Sequence, residues 1–202
     1  MKIDTFTGGL FETNCFFIEE AAILIDAPQE AAEWLRKTGK KVSLLLLTHG
    51  HIDHVFDAAE IEREHGCKIG LHRETIPMVT DREFFRRFGF GLEVEPVRKP
   101  DFLIGETESL EINGIDFQVL DVPGHCPGSL CFFDKKERVL FGGDVLFAGG
   151  VGRWDLPGGD RELLFSGIKT KLFPLDDDVK VLPGHGPATT IGRERQTNPF
   201  LS

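Results

Sequence analysis

Three histidines and one aspartate lie within six consecutive residues, in the segment His49-Gly50-His51-Ile52-Asp53-His54. The preceding run, 42–47, is almost entirely apolar and predicts a strand buried on both faces. Because side chains alternate along an extended chain, we expect His49 and His51 on the same side. Asp53 and His54 come after the strand and can turn toward a second point. Imidazole and carboxylate ligands aimed at two neighbouring points predict a site for two metal ions.

Three further candidate ligands lie at predicted strand-to-loop junctions in the second half of the chain. His125 lies in Val122-Pro123-Gly124-His125-Cys126-Pro127-Gly128, and Asp144 and His185 directly follow Gly143 and Gly184. Glycine and proline favour turns, and glycine lets the backbone approach a metal centre closely. Five of the seven histidines therefore lie at predicted strand ends flanked by Gly or Pro.

The elements that must position these residues form two strand-rich halves. We predict strands over 2–7, 15–18, 22–25, 42–47 and 68–71, then 115–120, 129–133, 138–141 and 179–182. Helices are predicted over 29–38, 55–64, 160–173 and 190–196, the third with Leu163, Leu164, Ile168 and Leu172 on its apolar face. The segment 73–98 is compatible with a pocket cover or with a solvated amphipathic helix. The pattern predicts one domain over 1–202, with two sheets between helix layers.

Composition excludes several classes of partner. The chain has 202 residues, of which 41% are hydrophobic and 28% charged, and a net charge of −10. We therefore expect no nucleic-acid partner and no membrane partner. No stretch has the length of a membrane span, and the start carries an early acid and no apolar signal segment. The four cysteines lack C-x-x-C spacing, which predicts reduced thiols and a cytoplasmic protein.

The ordered set Asp26, His49-x-His51-x-Asp53-His54, His125, Asp144 and His185 resembles the five signature motifs of the metallo-β-lactamase superfamily. The resemblance implies an α/β fold, a four-layer αββα sandwich of two mixed sheets with the metals at one edge. It implies that His49, His51 and His125 bind the first metal and that Asp53, His54 and His185 bind the second. It makes Asp144 the bridge, gives Asp53 and Asp144 catalytic positions, and leaves Asp26 as an outer acceptor for a ligand histidine or a turn residue. Zinc is expected, with iron and manganese as alternatives.

Within the superfamily, the chain is most similar to glyoxalase II-like hydrolases, which cleave hydroxyacyl-thioesters. The similarity lies in Gly143-Asp144-Val145-Leu146-Phe147, in Gly152-Arg153-Trp154-Asp155 and in the tail 189–201. It implies attack by a hydroxide that bridges two metal ions, and it makes Arg153 and Trp154 candidate substrate contacts. The implied partner is a small-molecule thioester such as a glutathione conjugate. Longer relatives continue into a helical domain and carry a Tyr where this chain has Gly186-Pro187, so thioester cleavage is better supported than glutathione as the carrier.

Leaving-group chemistry favours the thioester independently. A thiolate, whose parent thiol has a pKa of about 8.5, departs without prior protonation. The chain contains no Tyr, which argues against lactonases of the superfamily. Asp144 argues against true β-lactamases, and His51 against flavodiiron proteins. Two alternatives are a mononuclear iron persulfide dioxygenase using His49, His125 and Asp144, and a metal-binding protein without turnover.

Overall fold

The computed structural model describes residues 1–88 and 91–201. The chain forms two compact units, Met1–Ile104 and Gly105–Ser202, and each contains a six-stranded sheet. The assignment of 1–202 to a single domain stays a prediction. Within the described ranges, no helix is both long and apolar enough to cross a bilayer.

The first unit orders its strands in the sheet as they occur in the chain. They are β1 (Ile3–Gly8), β2 (Thr13–Ile18), β3 (Ile23–Ile25), β4 (Leu44–Leu46), β5 (Lys68–His72) and β6 (Phe102–Ile104). β1, β2 and β3 pair antiparallel, and β3 to β6 pair parallel, so the sheet is mixed. The helices are α1 (Ala31–Thr38), α2 (Ile52–Val55), α3 (Ala58–His65), α4 (Ile76–Thr80) and α5 (Arg82–Phe88), with a 3₁₀ turn at Arg73–Thr75.

Burial in the first unit follows the sequence pattern. All three leucines of β4 are buried, as expected for a central parallel strand. In α1, Ala32 and Leu35 face the core, and Gly39 ends the helix in the left-handed conformation at φ 68°. The predicted helix over 29–38 is therefore confirmed apart from its first two residues.

The predicted helix over 55–64 is confirmed as α3 apart from its first three residues, and a short helix, α2, precedes it with a break at Phe56 and Asp57. The backbone N–H of Asp57 donates to the carbonyl of Ala27 at 3.0 Å, and the Ala27 N–H donates to the carbonyl of His54 at 2.8 Å. These bonds to the segment after β3 replace the helical bonds that a continuous helix would make. The break therefore ties the histidine segment to the neighbouring strand end.

The segment 73–98 contains α4 and α5, which the sequence pattern left undecided. Phe85 is buried in the core of the first unit, and Arg82 and Arg86 are exposed. This is the arrangement of an amphipathic helix.

The second unit has the sheet order β14-β13-β10-β9-β8-β7. Its strands are β7 (Thr107–Ile112), β8 (Ile115–Asp121), β9 (Leu130–Asp134), β10 (Val139–Gly143), β13 (Lys180–Pro183) and β14 (Thr189–Thr190), with a separate hairpin of β11 (Leu146–Phe147) and β12 (Gly150–Val151). β10 and β13 pair parallel, and the other sheet pairs are antiparallel. The helices are α6 (Arg161–Gly167), continued by a π-helical turn at Ile168–Leu172, and α7 (Ile191–Thr197).

The core of the second unit contains Leu164, Ile168 and Leu172, as the helical spacing predicts. Leu163, placed on the same face from the sequence, is 52% exposed. Burial at every fourth residue leaves Leu163 beside the apolar stripe and not on it.

Candidate metal centre

The histidine segment begins three residues after β4, which ends at Leu46, and it ends in α2. β3 and β4 are parallel with Ile25 opposite Leu46, so their carboxyl ends lie at the same edge of the sheet. His51 is extended and precedes the first residue of α2, and the helix then carries Asp53 and His54. His49 and His54 are almost completely buried, at 1% and 0% exposure. The short helix thus changes the direction of the chain between the two pairs of candidate ligands.

The donor atoms within each pair lie close together. His49 Nε2 is 3.2 Å from His51 Nδ1, and His54 Nε2 is 3.5 Å from Asp53 Oδ2. The expectation that His49 and His51 share one side is therefore confirmed. Ligand atoms of His49 and His54 are also within 4.8 Å of each other. The first unit alone thus offers four donors within a small volume.

Gly50, between the first two histidines, has no room for a side chain. A Cβ there would lie 2.6 Å from Cβ of Met78 and 3.2 Å from Cγ2 of Thr75. The first of these distances is shorter than real contacts allow, and both neighbours belong to the segment that covers the loop. Glycine at this position lets that segment pack against the backbone between His49 and His51.

Asp26 follows β3 and adopts a left-handed backbone at φ 62°, which is uncommon for a residue with a side chain. Its carboxylate accepts hydrogen bonds from the backbone N–H and the hydroxyl of Thr48, both at 2.8 Å, and contacts His54 Nδ1 at 2.8 Å. The strained backbone thus directs a buried carboxylate toward the histidine segment. This is the geometry expected of an outer acceptor for a ligand histidine.

These contacts determine which ring nitrogen carries the proton. A carboxylate accepts, so His54 Nδ1 is the donor to Asp26 and Nε2 keeps its lone pair. The Thr48 hydroxyl donates its proton to Asp26, so it accepts from His49 Nδ1 at 3.0 Å. His49 Nε2 then also keeps its lone pair. Both histidines are held in the tautomer that can bind a metal ion.

In the second unit, the three candidate ligands follow strands whose carboxyl ends lie at one edge. Asp144 follows β10, and His185 comes two residues after its parallel neighbour β13. The N–H of Gly184 donates to the carbonyl of Gly143 at 2.8 Å and ties the two loops together. His125 follows β8, which runs in the same direction as β10 because β9 is antiparallel to both.

Asp144 lies between the two histidines of this unit. Its Oδ2 is 3.5 Å from His125 Nε2 and 3.3 Å from His185 Nε2, and the carboxylate is buried. His125 Nδ1 is 2.7 Å from the carbonyl of Arg153, which can only accept, so His125 Nε2 keeps its lone pair. Gly152, just before, has no room for a Cβ beside the Asp144 carbonyl and His125 Nδ1.

The donor set fits a divalent metal ion. Two ligands of a tetrahedral zinc ion at about 2.1 Å lie about 3.4 Å apart. The neighbouring donor pairs in both units are 3.2–3.5 Å apart. Imidazole and carboxylate are ligands for zinc, iron and manganese alike, so the donors do not select one metal.

Arg153 and Trp154 have different surroundings. The exposed guanidinium of Arg153 forms two hydrogen bonds with Asp155, at 2.8 and 2.9 Å. Arg153 accordingly lowers the pKa of the Asp155 carboxyl. The ring of Trp154 packs edge-on against Phe165 with the Arg161 guanidinium 5.7 Å from its centroid. The role of both residues as substrate contacts stays a prediction.

Three residues that contact the candidate ligands or their hydrogen-bond partners were not among the site residues predicted from the sequence. Thr13, completely buried in β2, donates its hydroxyl proton to Asp53 Oδ2 at 2.8 Å. Thr48 connects Asp26 to His49, as described above. Phe147 of β11 packs edge-on against His185, with ring centroids 6.1 Å apart. Thr48 directly precedes a candidate ligand and Phe147 lies in the segment 143–147 that carries the family resemblance, whereas Thr13 has no local signal.

The four cysteines are all buried, and their thiols lie outside any disulfide. Burial raises the pKa of Cys15 and Cys131, and raises that of Cys67 to about 11. Cys126 follows a candidate ligand directly and is 0% exposed.

Comparison with known proteins identifies the family. Residues 8–185 match the family model of the metallo-β-lactamase superfamily. Hydroxyacylglutathione hydrolase GloC of Haemophilus influenzae is 39% identical over 209 residues, covering 100% of this chain and 99% of that protein. The chain therefore belongs to the metallo-β-lactamase superfamily of metallo-hydrolases.

Solved structures agree. The crystal structure of BLEG-1 B3 metallo-β-lactamase matches with a TM-score of 0.90 and 34% identity, covering 100% of both chains. The di-iron-bound form of TTHA1623 matches with a TM-score of 0.85 and 35% identity, covering 98% of this chain and 100% of that one. The expected fold class is confirmed as the α/β metallo-β-lactamase fold of two mixed sheets with helices, and the His and Asp clusters fit the divalent metals that the superfamily binds.

Proposed function

We propose that this protein is a dinuclear metal hydrolase that cleaves a hydroxyacyl-thioester. In this proposal His49, His51 and His125 hold the first ion, and Asp53, His54 and His185 hold the second. Asp144 contacts both ions, and zinc is the expected metal. The family match over 8–185 includes all seven residues, which supports their assignment as metal ligands.

The position of the Asp144 carboxylate is the observation that carries the dinuclear proposal. Its Oδ2 is within 3.5 Å of Nε2 of both His125 and His185, which the proposal assigns to different ions. A mononuclear iron dioxygenase would need only His49, His125 and Asp144. Asp53 and His54 would then have no use, although Thr13 and Asp26 hold both in place. The geometry therefore favours the hydrolase over the dioxygenase.

Divalent ions at such a centre lower the pKa of bound water to about 7 and polarise a carbonyl oxygen. The protein supplies the orientation. In the neutral rings, Asp26 and Thr48 hold the proton of His54 and of His49 on Nδ1, and the Arg153 carbonyl does the same for His125, which leaves each Nε2 as the ligand atom. A thiolate needs no proton donor to depart, because its parent thiol has a pKa of about 8.5. A site without a Tyr beside the ligands is therefore sufficient for a thioester.

The carrier thiol in this proposal is anionic, as in a glutathione conjugate. The relative from Haemophilus influenzae is named a hydroxyacylglutathione hydrolase and is similar over the whole chain. Arg153, exposed on the loop that follows Asp144, supplies a cation for a carboxylate of such a substrate. The buried free cysteines support a reducing compartment, and we place the protein in the cytoplasm.

A second candidate activity is β-lactam hydrolysis. One structural neighbour at 34% identity over the whole chain is a B3 metallo-β-lactamase by its title. The carboxylate at Asp144 argues for the thioester, but a β-lactam amide is attacked by the same chemistry. Both substrate classes therefore belong in the same assay.

Three substrates and a metal analysis test the proposal. Zinc-loaded protein receives a hydroxyacyl-glutathione thioester, the matching oxygen ester and a chromogenic cephalosporin. We expect the thioester to turn over at least about a hundredfold faster than the oxygen ester, the usual value of the acid catalysis that an alkoxide would need. Asp144→Ala is the inactive control. Equal rates on both esters contradict the thioester proposal, faster cephalosporin cleavage supports the second candidate, and one iron per chain without hydrolysis supports the dioxygenase.

A further inference from the structure

Glu194 is a carboxylate buried inside the second unit. It lies on α7 and is 0% exposed. Three donors bond to it: the backbone N–H of Gly149 at 2.8 Å, the Thr189 hydroxyl at 2.5 Å and the Asn198 side-chain amide at 2.9 Å. The exposed Arg193 places its Nε 4.0 Å from Oε1 of Glu194. Hydrogen bonds from two side chains and from one piece of backbone therefore satisfy this carboxylate in the interior.

That piece of backbone is the turn of the β11–β12 hairpin. Leu146 pairs with Val151 and Phe147 with Gly150, which leaves a two-residue turn with Gly149 at φ 72°. Asn198 adds a second connection, because its amide also donates to the carbonyl of Gly150 at 2.9 Å. A hairpin with two residues per strand is too short to be stable alone, so its position depends on contacts of this kind.

The hairpin lies close, in the chain or in space, to all three candidate ligands of the second unit. Its first strand, β11, begins two residues after Asp144. Phe147 packs against the ring of His185, and the chain leaving β12 brings the Arg153 carbonyl to His125 Nδ1 at 2.7 Å. A shift of the hairpin would therefore change the orientation of each ligand without changing any ligand itself.

We propose that Glu194, with Asn198, is a positioning residue that fixes the β11–β12 hairpin and thereby the metal-binding geometry of His125, Asp144 and His185. The inference rests on the ligand roles given under the proposed function. It also gives a role to residues of the tail 189–201, the segment that resembles the short glyoxalase II-like proteins.

Hydrogen exchange and zinc affinity together test this inference. The variants are Glu194→Gln, which turns an amide N–H₂ toward the existing donors, and Asn198→Ala, which leaves the carboxylate with Gly149 and Thr189. Glu162→Gln makes the same chemical change at an exposed position of α6 and is the matched control. Exchange is measured on zinc-loaded protein for peptides over 145–153 and, as an internal reference, over 115–134.

We expect exchange over 145–153 to become about tenfold faster in both variants, with 115–134 unchanged. Chelator competition should show zinc binding weakened about tenfold, the lower end of the usual effect of an outer partner. Unchanged hairpin exchange, faster exchange throughout the second unit, or faster hairpin exchange with unchanged zinc affinity each overturns the inference. If Glu194→Gln does not fold, Asn198→Ala decides. Neither measurement uses a substrate, so failure of the thioester assay leaves this test intact.

Discussion

The hydroxyl of Thr13 donates a hydrogen bond to Oδ2 of Asp53 at 2.8 Å, although 40 residues separate them in the chain. Thr13 is completely buried, so no water replaces this donor. The bond fixes the rotation of the carboxylate and thus which oxygen faces His54. Asp53 is therefore oriented from β2 as well as from its own helix.

Thr13→Val should weaken the binding of one of the two proposed zinc ions. Valine keeps the shape of threonine and removes the donor, so Asp53 loses its fixed orientation while the His49 and His51 pair is untouched. We expect one zinc to bind about tenfold more weakly, as for other outer partners of metal ligands. Chelator competition and the absorption spectrum of cobalt-substituted protein measure this. Thr5→Val, at an exposed position of β1, is the control; equal effects in both variants would rule out a specific role.

Asp144→Ala should lower the occupancy of both metal ions. The carboxylate lies between His125 and His185, so its removal takes one ligand from each proposed ion. Elemental analysis of the purified variant measures the metal content. Asp116→Ala, on an exposed part of β8, should keep two ions per chain. Two ions in Asp144→Ala would show that Asp144 is not the bridge.

Arg153→Ala should separate substrate binding from metal binding. The Arg153 backbone carbonyl holds His125, and alanine preserves it, so metal content should not change. The guanidinium is exposed and already paired with Asp155, so its attraction for an anionic thioester is that of a surface ion pair. We expect KM for a glutathione thioester to rise up to about fivefold, with kcat unchanged. A neutral short-chain thioester serves as the comparison, and an equal rise in KM for both would exclude a charge contact.

Asp57→Asn should change the pH dependence of stability. Asp57 is buried and accepts from the Ala32 N–H at the start of α1, and burial raises its pKa to about 6. The folded protein therefore binds more protons than the unfolded chain between about pH 4 and pH 6. The free energy of unfolding contributed by Asp57 falls as pH rises through that window.

Asparagine does not titrate. The unfolding free energy of wild type minus that of Asp57→Asn should therefore fall from pH 4 to pH 6 and stay constant above. Urea unfolding at several pH values measures it. Parallel curves for the two proteins would show that burial does not shift the pKa of this carboxyl.

The sequence predicted the strand ends that carry the candidate ligands because local patterns determine them. An apolar run that ends near Gly or Pro and carries His or Asp there marks the end of a buried strand: glycine directly precedes Asp144 and His185, and glycine directly follows His49. Parallel pairing then brings such ends to one edge of each sheet.

The remaining features depend on contacts between distant residues. The break between α2 and α3 is made by bonds to Ala27, while the residues at the break are compatible with helix. Glu194 lies among charged residues of α7, which is the sequence context of an exposed helix face. In the structure, the hairpin covers it. Thr13 has no local pattern that distinguishes it from any other strand threonine.

The burial of the cysteines has a consequence for a protein that cleaves thioesters. In the proposed reaction, each turnover would bring an activated acyl group next to the candidate metal ligands, and an accessible thiolate there would capture it by transthioesterification. Cys126 adjoins His125 but is 0% exposed, and burial raises the pKa of Cys15, Cys67 and Cys131, which keeps them as thiols. If the proposed reaction is correct, packing alone would protect the protein against self-acylation and against mixed disulfides with the released carrier thiol.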